Sequence, residues 1–332
     1  MTHSHAPSTT FAGLDVGKAA CQLAILLPDG TVLQRHITTT PEGLTDMVRL
    51  CREHHVTLVV MEYTGRLELA PAVELWDAAI PLSIISPRQS KAFARTLARE
   101  AKTDRLDAEL LAQFAQKIQP DPTEKPAPHQ LELQELASRR RQLVGMLVQE
   151  KNRLGQARLK HLQNNIRKSL AFITRMIRDV DRQIHQHIQD DPRLERLVQQ
   201  LETVPGISST SAQQLLIALP EMGTLSRRQI ASLAGLAPFA RDSGGSIGPR
   251  SIRGGRREAR NALFMPILCA IRYNPIIKNM YQRLVAAGKR RIVALVACMR
   301  KLLILLNSMV KQAKTWDQFL QNTQPEGMPN LT

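Results

Sequence analysis

The chain has 332 residues, enough for two or three domains, and 43% of them are hydrophobic, enough to form buried cores. Its formal net charge of +16 favours a polyanionic partner, nucleic acid before an anionic membrane. We find no signal-peptide layout, no apolar run near the ~20 residues of a membrane span, and no CxxC pair among the four cysteines. We therefore expect a cytoplasmic protein with no membrane partner, zinc site or disulfide framework.

The charge is unevenly distributed. Residues 1–120 contain 12 Lys and Arg against 13 Asp and Glu, whereas residues 121–332 contain 33 against 16. All of the positive excess therefore lies after residue 120. We expect that part of the chain to make most of the contacts with phosphate groups.

Residues 8–120 show the alternation of short apolar runs and helical periodicity that is typical of an α/β domain. The predicted elements are three strands within 10–37, a helix at 41–55, a strand at 56–62, a helix at 67–79, a strand at 82–86 and a helical pattern over 88–116. The run VTLVVME at 56–62 is unbroken, which indicates a strand covered on both faces. This order predicts a mixed sheet of the RNase H-like kind, with a doubly wound fold as the main competitor.

The rest of the chain is predicted to be helical. Residues 121–130 are proline-rich and indicate a linker, and residues 131–195 repeat leucine and isoleucine at three- and four-residue spacing. Two long helices with a turn near Asn164-Asn165 are expected there, either in a self-associating coiled coil or in an intramolecular hairpin. We expect residues 196–320 to form a further helical domain and the polar residues 321–332 to form a disordered tail.

Four carboxylates in the first domain have the order that a metal-dependent nuclease needs. Asp15 ends the first strand, Glu62 ends the buried strand, and Asp104 and Asp107 share one face of a helix. Mg²⁺ prefers oxygen ligands, and clustered carboxylates repel one another without a cation. Each residue alone has a simpler explanation, since Thr103 followed by aspartates is also an ordinary helix N-terminus. The set as a whole favours a Mg²⁺ site.

A glycine- and arginine-rich segment, residues 241–257, is the second candidate for chemistry. A serine that attacks phosphate needs access and neighbouring positive charge. From the residues alone, Ser243, Ser246 and Ser251 are equal candidates, and an ordinary loop is the simpler interpretation. The candidate phosphate contacts are Arg241, Arg250, Arg253, Arg256 and Arg257. A VPGIS turn containing Gly206 resembles a helix-hairpin-helix turn, whose backbone amides bind phosphate.

Seven motifs in order resemble one family along nearly the whole chain. They are GLDVGK (13–18), MEYTG (61–65), KTDRLDAELLA (102–112), VPGI (204–207), ASLAGLAP (231–238), DSG (242–244) and ALFMP (262–266). Together they resemble the transposases of IS110 insertion sequences, relatives of the Piv DNA invertases.

The resemblance implies a RuvC-like first domain with a DEDD tetrad, which matches Asp15, Glu62, Asp104 and Asp107. It also implies a serine nucleophile, matching Ser243, that forms a covalent phosphoserine link to DNA. The spacing DSGGSIGPRS departs from the usual pattern and keeps Ser246 as an alternative. Further implications are a site shared between protomers of a dimer or tetramer, and a structured non-coding bridge RNA that pairs with target and donor DNA.

Three other functions are compatible with these residues. A RuvC-like junction endonuclease would hydrolyse DNA with metal-activated water and would not need Ser243. A site-specific invertase would recombine DNA without a guide RNA. A non-catalytic nucleic-acid scaffold would not need Asp15 or Asp104.

Overall fold

The computed structural model describes residues 9–97, 103–239 and 251–321. The chain divides into two compact units between Pro126 and Ala127. The predicted division into two domains, a linker and a coiled coil stays a prediction. Each unit is described by itself.

The first unit contains the predicted strands and helices in the predicted order. They are β1 (Thr10–Val16), β2 (Ala20–Leu26), β3 (Val32–Thr38), α1 (Pro41–Glu53), β4 (Val56–Glu62), α2 (Leu69–Asp77), β5 (Leu82–Ile85), α3 (Pro87–Thr96) and α4 (Asp104–Ile118). One expectation needs correction, because the helical pattern of 88–116 is two helices rather than one. α4 has its own start, where the Thr103 side chain accepts a hydrogen bond from the Leu106 amide.

The five strands form one sheet in the order β3-β2-β1-β4-β5. β1, β2 and β3 pair antiparallel, whereas β1, β4 and β5 pair parallel. This mixed sheet confirms the RNase H-like fold and rules out the all-parallel doubly wound alternative. Alternate residues of the strands pack on α1 and α2 on one face and on α4 on the other.

The second unit is almost entirely helical. Its elements are α5 (Pro128–Gln156), α6 (Lys160–Gln189), α7 (Pro192–Glu202), α8 (Ser209–Ala218), α9 (Arg227–Leu233), β6 (Pro238–Phe239), β7 (Ser251–Ile252), α10 (Arg257–Tyr273), α11 (Pro275–Ala286), α12 (Arg291–Gln312) and α13 (Trp316–Gln321). One hydrophobic core joins α5 and α6 to the helices that follow. The fold class, an α/β domain followed by helical regions, is therefore confirmed.

The long helices α5 and α6 form an intramolecular hairpin. Arg140, which interrupts the leucine repeat of α5, forms an ion pair with Asp181 of α6. The predicted turn at Asn164-Asn165 is wrong, because both residues lie inside α6. The chain reverses at 157–159 instead, where Ala157 is extended and its carbonyl accepts a hydrogen bond from Gln163 at 2.8 Å. Asparagine is only a weak helix breaker, so tertiary packing sets the position of the turn.

Among the described residues, α12 is the one helix that is long and apolar enough to cross a membrane by length and composition. From the sequence, no such run is expected. Half of the apolar window is buried, and Leu302, Leu306 and Met309 are fully enclosed in the core of the second unit. The helix needs this apolar side for packing within the protein.

Candidate functional site

The carboxyl ends of β1 and β4 bring Asp15 and Glu62 to the same edge of the sheet. The two strands are adjacent and parallel, and Leu14 of β1 lies opposite Met61 of β4. Asp15 and Glu62 are the next residue along each strand. Parallel neighbours end at the same edge, so the two carboxylates that the sequence analysis selected occupy neighbouring positions.

Both side chains also point to the same face of the sheet, the face covered by α4. Phe11 of β1 and Val60 of β4 pack against α4, whereas Leu14 and Met61 pack on the other side. Side chains alternate along a strand. Asp15 shares its face with Phe11 and Gly13, and Glu62 shares its face with Val60.

Helix α4 approaches β1 so closely that only glycine fits at position 13. A Cβ atom there would lie 2.1 Å from the Ala108 carbonyl oxygen and 2.3 Å from the Ala112 nitrogen. Phe11, one pleat earlier, belongs to the cluster that contains Phe114. The helix therefore runs antiparallel to β1, and its first turn lies level with Asp15, one pleat beyond Gly13.

Asp104 and Asp107 occupy that first turn. They lie on the stripe of α4 that continues through Ala108, Leu111 and Ala112, which pack on the sheet. Asp107 is half-buried and Asp104 is exposed. The fold therefore brings all four predicted acidic positions to one face and one edge of the sheet.

Two glutamines fix the first turn of α4 against the sheet. Gln22 is the register partner of Asp15 on β2, and its side-chain amide donates to Gln34 of β3 at 3.0 Å. Gln34 in turn donates to the backbone carbonyl of Arg105 at 3.2 Å. This relay links the Asp15 level of the sheet to the turn that carries Asp104 and Asp107.

Glu62 has its own positioning contact. The hydroxyl of Ser90 on α3, a side chain that is only 2% exposed, donates a hydrogen bond to Glu62 Oε1. A hydrogen bond from a buried hydroxyl fixes the carboxylate without neutralising it. Sequence reasoning did not find Ser90, Gln22 or Gln34, because their roles depend on contacts between distant segments.

The chemistry of this donor set fits a hard divalent cation. Carboxylate oxygens are the ligands that Mg²⁺ prefers, and carboxylates that share one edge repel one another unless a cation lies among them. Within the described ranges, no three His, Cys, Asp or Glu side chains converge in the geometry of a metal site. The backbone thus brings the four positions together, while their side chains are not gathered around one point.

In the second unit, the short strand β6 precedes the glycine- and arginine-rich segment, and β7 lies within it. β6 and β7 pair antiparallel, with Pro238 opposite Ile252. Arg241, Ser243, Ser246 and Arg250 lie outside the described residues. After β7, Gly255 packs directly on the turn after α9, where a Cβ atom would come within 2.0 Å of the Gly235 nitrogen.

The three described candidate arginines have different surroundings. Arg253 is exposed and its guanidinium lies 4.6 Å from the centre of the Phe239 ring. Arg256 makes two hydrogen bonds of 2.6 Å to Glu221 and a third to the Ala218 carbonyl. Arg257 is exposed at the start of α10. Arg256 therefore makes structural contacts with Ala218 and Glu221, whereas Arg253 and Arg257 are accessible to a ligand.

Gly206 lies in the turn between α7 and α8 with a φ of +102°. A Cβ atom there would lie 2.8 Å from the backbone nitrogen of Ala270 on α10. The glycine is therefore required by its positive φ and by close packing. Phosphate binding at this turn stays a prediction.

Comparison with known proteins identifies the family. A family model described as "Transposase", of the IS110 DEDD type, matches residues 12–163, and a second, "Transposase IS116/IS110/IS902 family", matches residues 198–282. This chain belongs to the IS110 family of transposases. It is therefore an insertion-sequence transposase, an enzyme that acts on DNA. The first match contains all four tetrad positions, and the second contains the glycine- and arginine-rich segment 241–257.

Individual relatives of this transposase include invertases. A pilin gene-inverting protein of Moraxella bovis is 28% identical over 94% of this chain and 98% of its own length. An IS110 protein of Streptomyces coelicolor, described as uncharacterized, is 27% identical over 49% of this chain and 39% of its own. Among solved structures, T. thermophilus RuvC in complex with a Holliday junction substrate covers 35% of this chain at 15% identity, with a TM-score of 0.28.

Proposed function

We propose that this transposase cuts and rejoins DNA through a covalent bond between phosphate and Ser243, with Asp15, Glu62, Asp104 and Asp107 holding Mg²⁺. The observation that carries the proposal is the placement of all four acidic positions on one face and one edge of an RNase H-like sheet. An ordinary helix N-terminus would explain Asp104 and Asp107, but it would not explain why Asp15 and Glu62 face the same turn.

The reaction exchanges one phosphate ester for another. The hydroxyl oxygen of Ser243 attacks the phosphorus, an oxygen–phosphorus bond to the serine forms, and the bond to one deoxyribose oxygen breaks. The serine proton is lost and the departing deoxyribose oxygen gains a proton. Strand joining is the reverse reaction with a different hydroxyl, so the energy of the broken bond is retained in the phosphoserine. A bound Mg²⁺ would act as a Lewis acid on the phosphate oxygens.

The residues around the tetrad have positioning roles in this proposal. Ser90 fixes the direction of the Glu62 carboxylate, and the Gln22–Gln34 relay fixes the first turn of α4. In the second unit, Arg253 and Arg257 contact phosphate. Arg256 fixes the end of the glycine- and arginine-rich segment through its hydrogen bonds to Glu221. The positive excess of residues 121–332 binds DNA and a bridge RNA in the cytoplasm, at the nucleoid.

Assembly of the transposase into dimers or tetramers is part of the same proposal. The α5–α6 hairpin exposes five large apolar side chains between residues 146 and 172, each 43% to 59% exposed. They are Met146, Val148, Leu159, Leu162 and Phe172. In this proposal, these exposed apolar side chains take part in contacts between protomers. In such an assembly, the tetrad of one protomer and Ser243 of another form one site.

A denaturing gel tests the proposal directly. The full chain is incubated in Mg²⁺ with DNA from the end of its insertion element and with RNA transcribed from the flanking non-coding sequence. Wild type and Ser246→Ala should give a protein–DNA adduct, and Ser243→Ala should give none. An adduct in Ser243→Ala would refute the serine assignment, and DNA cut by Ser243→Ala would instead support a RuvC-like hydrolase.

The second candidate function is site-specific DNA inversion without a guide RNA. It is favoured by likeness to the pilin gene-inverting protein over almost the full length of both chains. The same assay distinguishes it when the RNA is omitted and the protein is treated with ribonuclease. Recombination that persists would favour inversion, and recombination that returns only with the RNA would favour guided transposition.

A further inference from the structure

The loop between β4 and α2 begins directly after Glu62. The Tyr63 amide donates to the Ile85 carbonyl at 2.8 Å, which extends the ladder between β4 and β5 by one residue beyond Glu62. Tyr63 is therefore anchored at the sheet edge that carries the tetrad. Its side chain is nevertheless 50% exposed, and Leu67 of the same loop is 45% exposed.

A fifth carboxylate, Glu68, organises this loop from inside. Its side chain is only 2% exposed, and Oε2 accepts three hydrogen bonds: from the Thr64 amide at 3.1 Å, the Thr64 hydroxyl at 2.5 Å and the Arg66 amide at 2.8 Å. The Glu68 amide donates back to the Thr64 hydroxyl at 3.1 Å. A carboxylate that is buried and bonded in this way serves the loop and not a metal ion.

The loop backbone is held in a conformation that it would not adopt by itself. Gly65 has a φ of +86°, and Arg66 has a φ of +127°, which is rare for a residue with a side chain. Strained backbone persists where surrounding contacts determine it, and it concentrates at functional sites. Here the bonds to Glu68 are those contacts.

An exposed tyrosine beside a site for phosphodiesters fits a base or sugar better than a phosphate. Aromatic side chains of nucleic-acid-binding proteins stack on bases without reading sequence. We propose that Glu68 is a positioning residue, which fixes loop 63–67 so that Tyr63 stacks on a nucleotide of DNA bound at the tetrad. This inference rests on the proposed function, because it needs DNA at that edge.

The test uses the full-length protein and DNA from the end of the element, with 2-aminopurine beside the cleaved position. Stacking on an aromatic ring quenches 2-aminopurine fluorescence. Wild type and Tyr63→Phe should quench it on binding, whereas Tyr63→Ala should lose the quench and bind about tenfold more weakly. Equal quenching by Tyr63→Ala and wild type would overturn the proposal.

Thr64 provides the test of positioning. Thr64→Val removes the hydroxyl that bonds to Glu68 while keeping the shape, and Thr64→Ser restores the hydroxyl. We expect Thr64→Val to lose most of the quench with a small fall in melting temperature, and Thr64→Ser to regain both. Thr64 is exposed, so this pair tests the contact with Glu68 without changing the buried carboxylate itself.

A double variant separates positioning from independent effects. If Glu68 and Thr64 act through the tyrosine, Thr64→Val combined with Tyr63→Ala should bind as Tyr63→Ala does alone. If the losses in DNA affinity of the two single variants multiply in the double variant, the proposal is overturned.

The serine adduct distinguishes this inference from the proposed function. If wild type shows the quench but forms no serine adduct, the proposed function fails and this inference stands. If the adduct forms and Tyr63→Ala behaves as wild type, this inference alone fails.

Discussion

The two units of this transposase differ in net charge and in fold. The first unit places acidic side chains at one edge of a sheet, and residues 1–120 have slightly more acidic than basic residues. The second unit is helical, and residues 121–332 carry the whole positive excess. A site that holds a cation needs a few carboxylates in fixed positions, whereas a surface that binds a polyanion needs many cations in approximate positions. Substitutions in the first unit should therefore affect chemistry, and conditions that screen charge should affect the second.

Tetrad substitutions should have the largest effect. Asp107→Asn keeps the shape of the side chain and removes one negative charge from the edge. We expect DNA cutting to fall at least about a thousandfold, because several kcal/mol of charge stabilisation are lost. Asp46→Asn on α1 is the matched control, since this exposed aspartate pairs with Arg49 away from the edge. Similar cutting rates for the two variants would contradict a special role in DNA cutting for the carboxylates at the sheet edge.

Salt should act mainly through the basic region. If six or more phosphates are contacted, binding of DNA or RNA should weaken by about a thousandfold or more between roughly 50 and 200 mM salt. Titrations by fluorescence anisotropy at several salt concentrations give the slope. The same slope is expected for Asp107→Asn, because the tetrad contributes no cations. A nearly flat slope would contradict a phosphate-binding role for residues 121–332.

The sequence predicted most of the first unit because its signals are local. The apolar run at 56–62 predicts β4 by itself, and the order of the predicted strands and helices predicts the mixed sheet. The tetrad was predictable because carboxylates at two strand ends and on one helix face form a recognisable set. Ser90 was not predictable, since a serine in a helix gains its role only when α3 packs beside Glu62.

The second unit was predicted less completely for the same reason. The periodicity of α5 and α6 indicated two helices, but the turn at 157–159 carries no strong turn residue and depends on packing between the helices. Arg256 resembled its neighbours Arg253 and Arg257 in sequence, and only its contact with Glu221 distinguishes them. Glu68 was missed because an acidic residue after a loop is usually solvated.

Two glycine-to-alanine substitutions, one in each unit, compare how closely the backbone is packed at Gly13 and at Gly145. Gly13→Ala forces a methyl group into the backbone of α4, and we expect a loss of about 3 kcal/mol in the free energy of unfolding. Gly145→Ala in α5 has nothing within 4 Å of the new Cβ atom, and it should stabilise the protein by up to about 1 kcal/mol. Thermal unfolding of both variants gives the comparison. A neutral Gly13→Ala would contradict the close approach of α4 to β1.

Cysteine labelling should show the smallest difference. Burial raises the pKa of Cys51 to about 12 and of Cys298 to about 11, and burial, with a smaller contribution from the charge of Asp15, also raises the pKa of Cys21. Raised thiol pKa values keep these groups neutral and unreactive at about pH 8. Cys269 is exposed. One thiol should therefore react quickly with a disulfide reagent, and none in Cys269→Ser. Fast reaction of a second thiol would show that a buried cysteine becomes exposed to solvent.

The division of chemistry between the units is tested most directly by identifying the residue that carries the DNA. The trapped adduct is digested with protease and nuclease, and mass spectrometry locates the residual nucleotide on a peptide. We predict the nucleotide on Ser243 in wild type, and no modified peptide when Asp107→Asn is treated in the same way. A nucleotide on any residue of the first unit, or on Ser246, would contradict a phosphoserine link at Ser243.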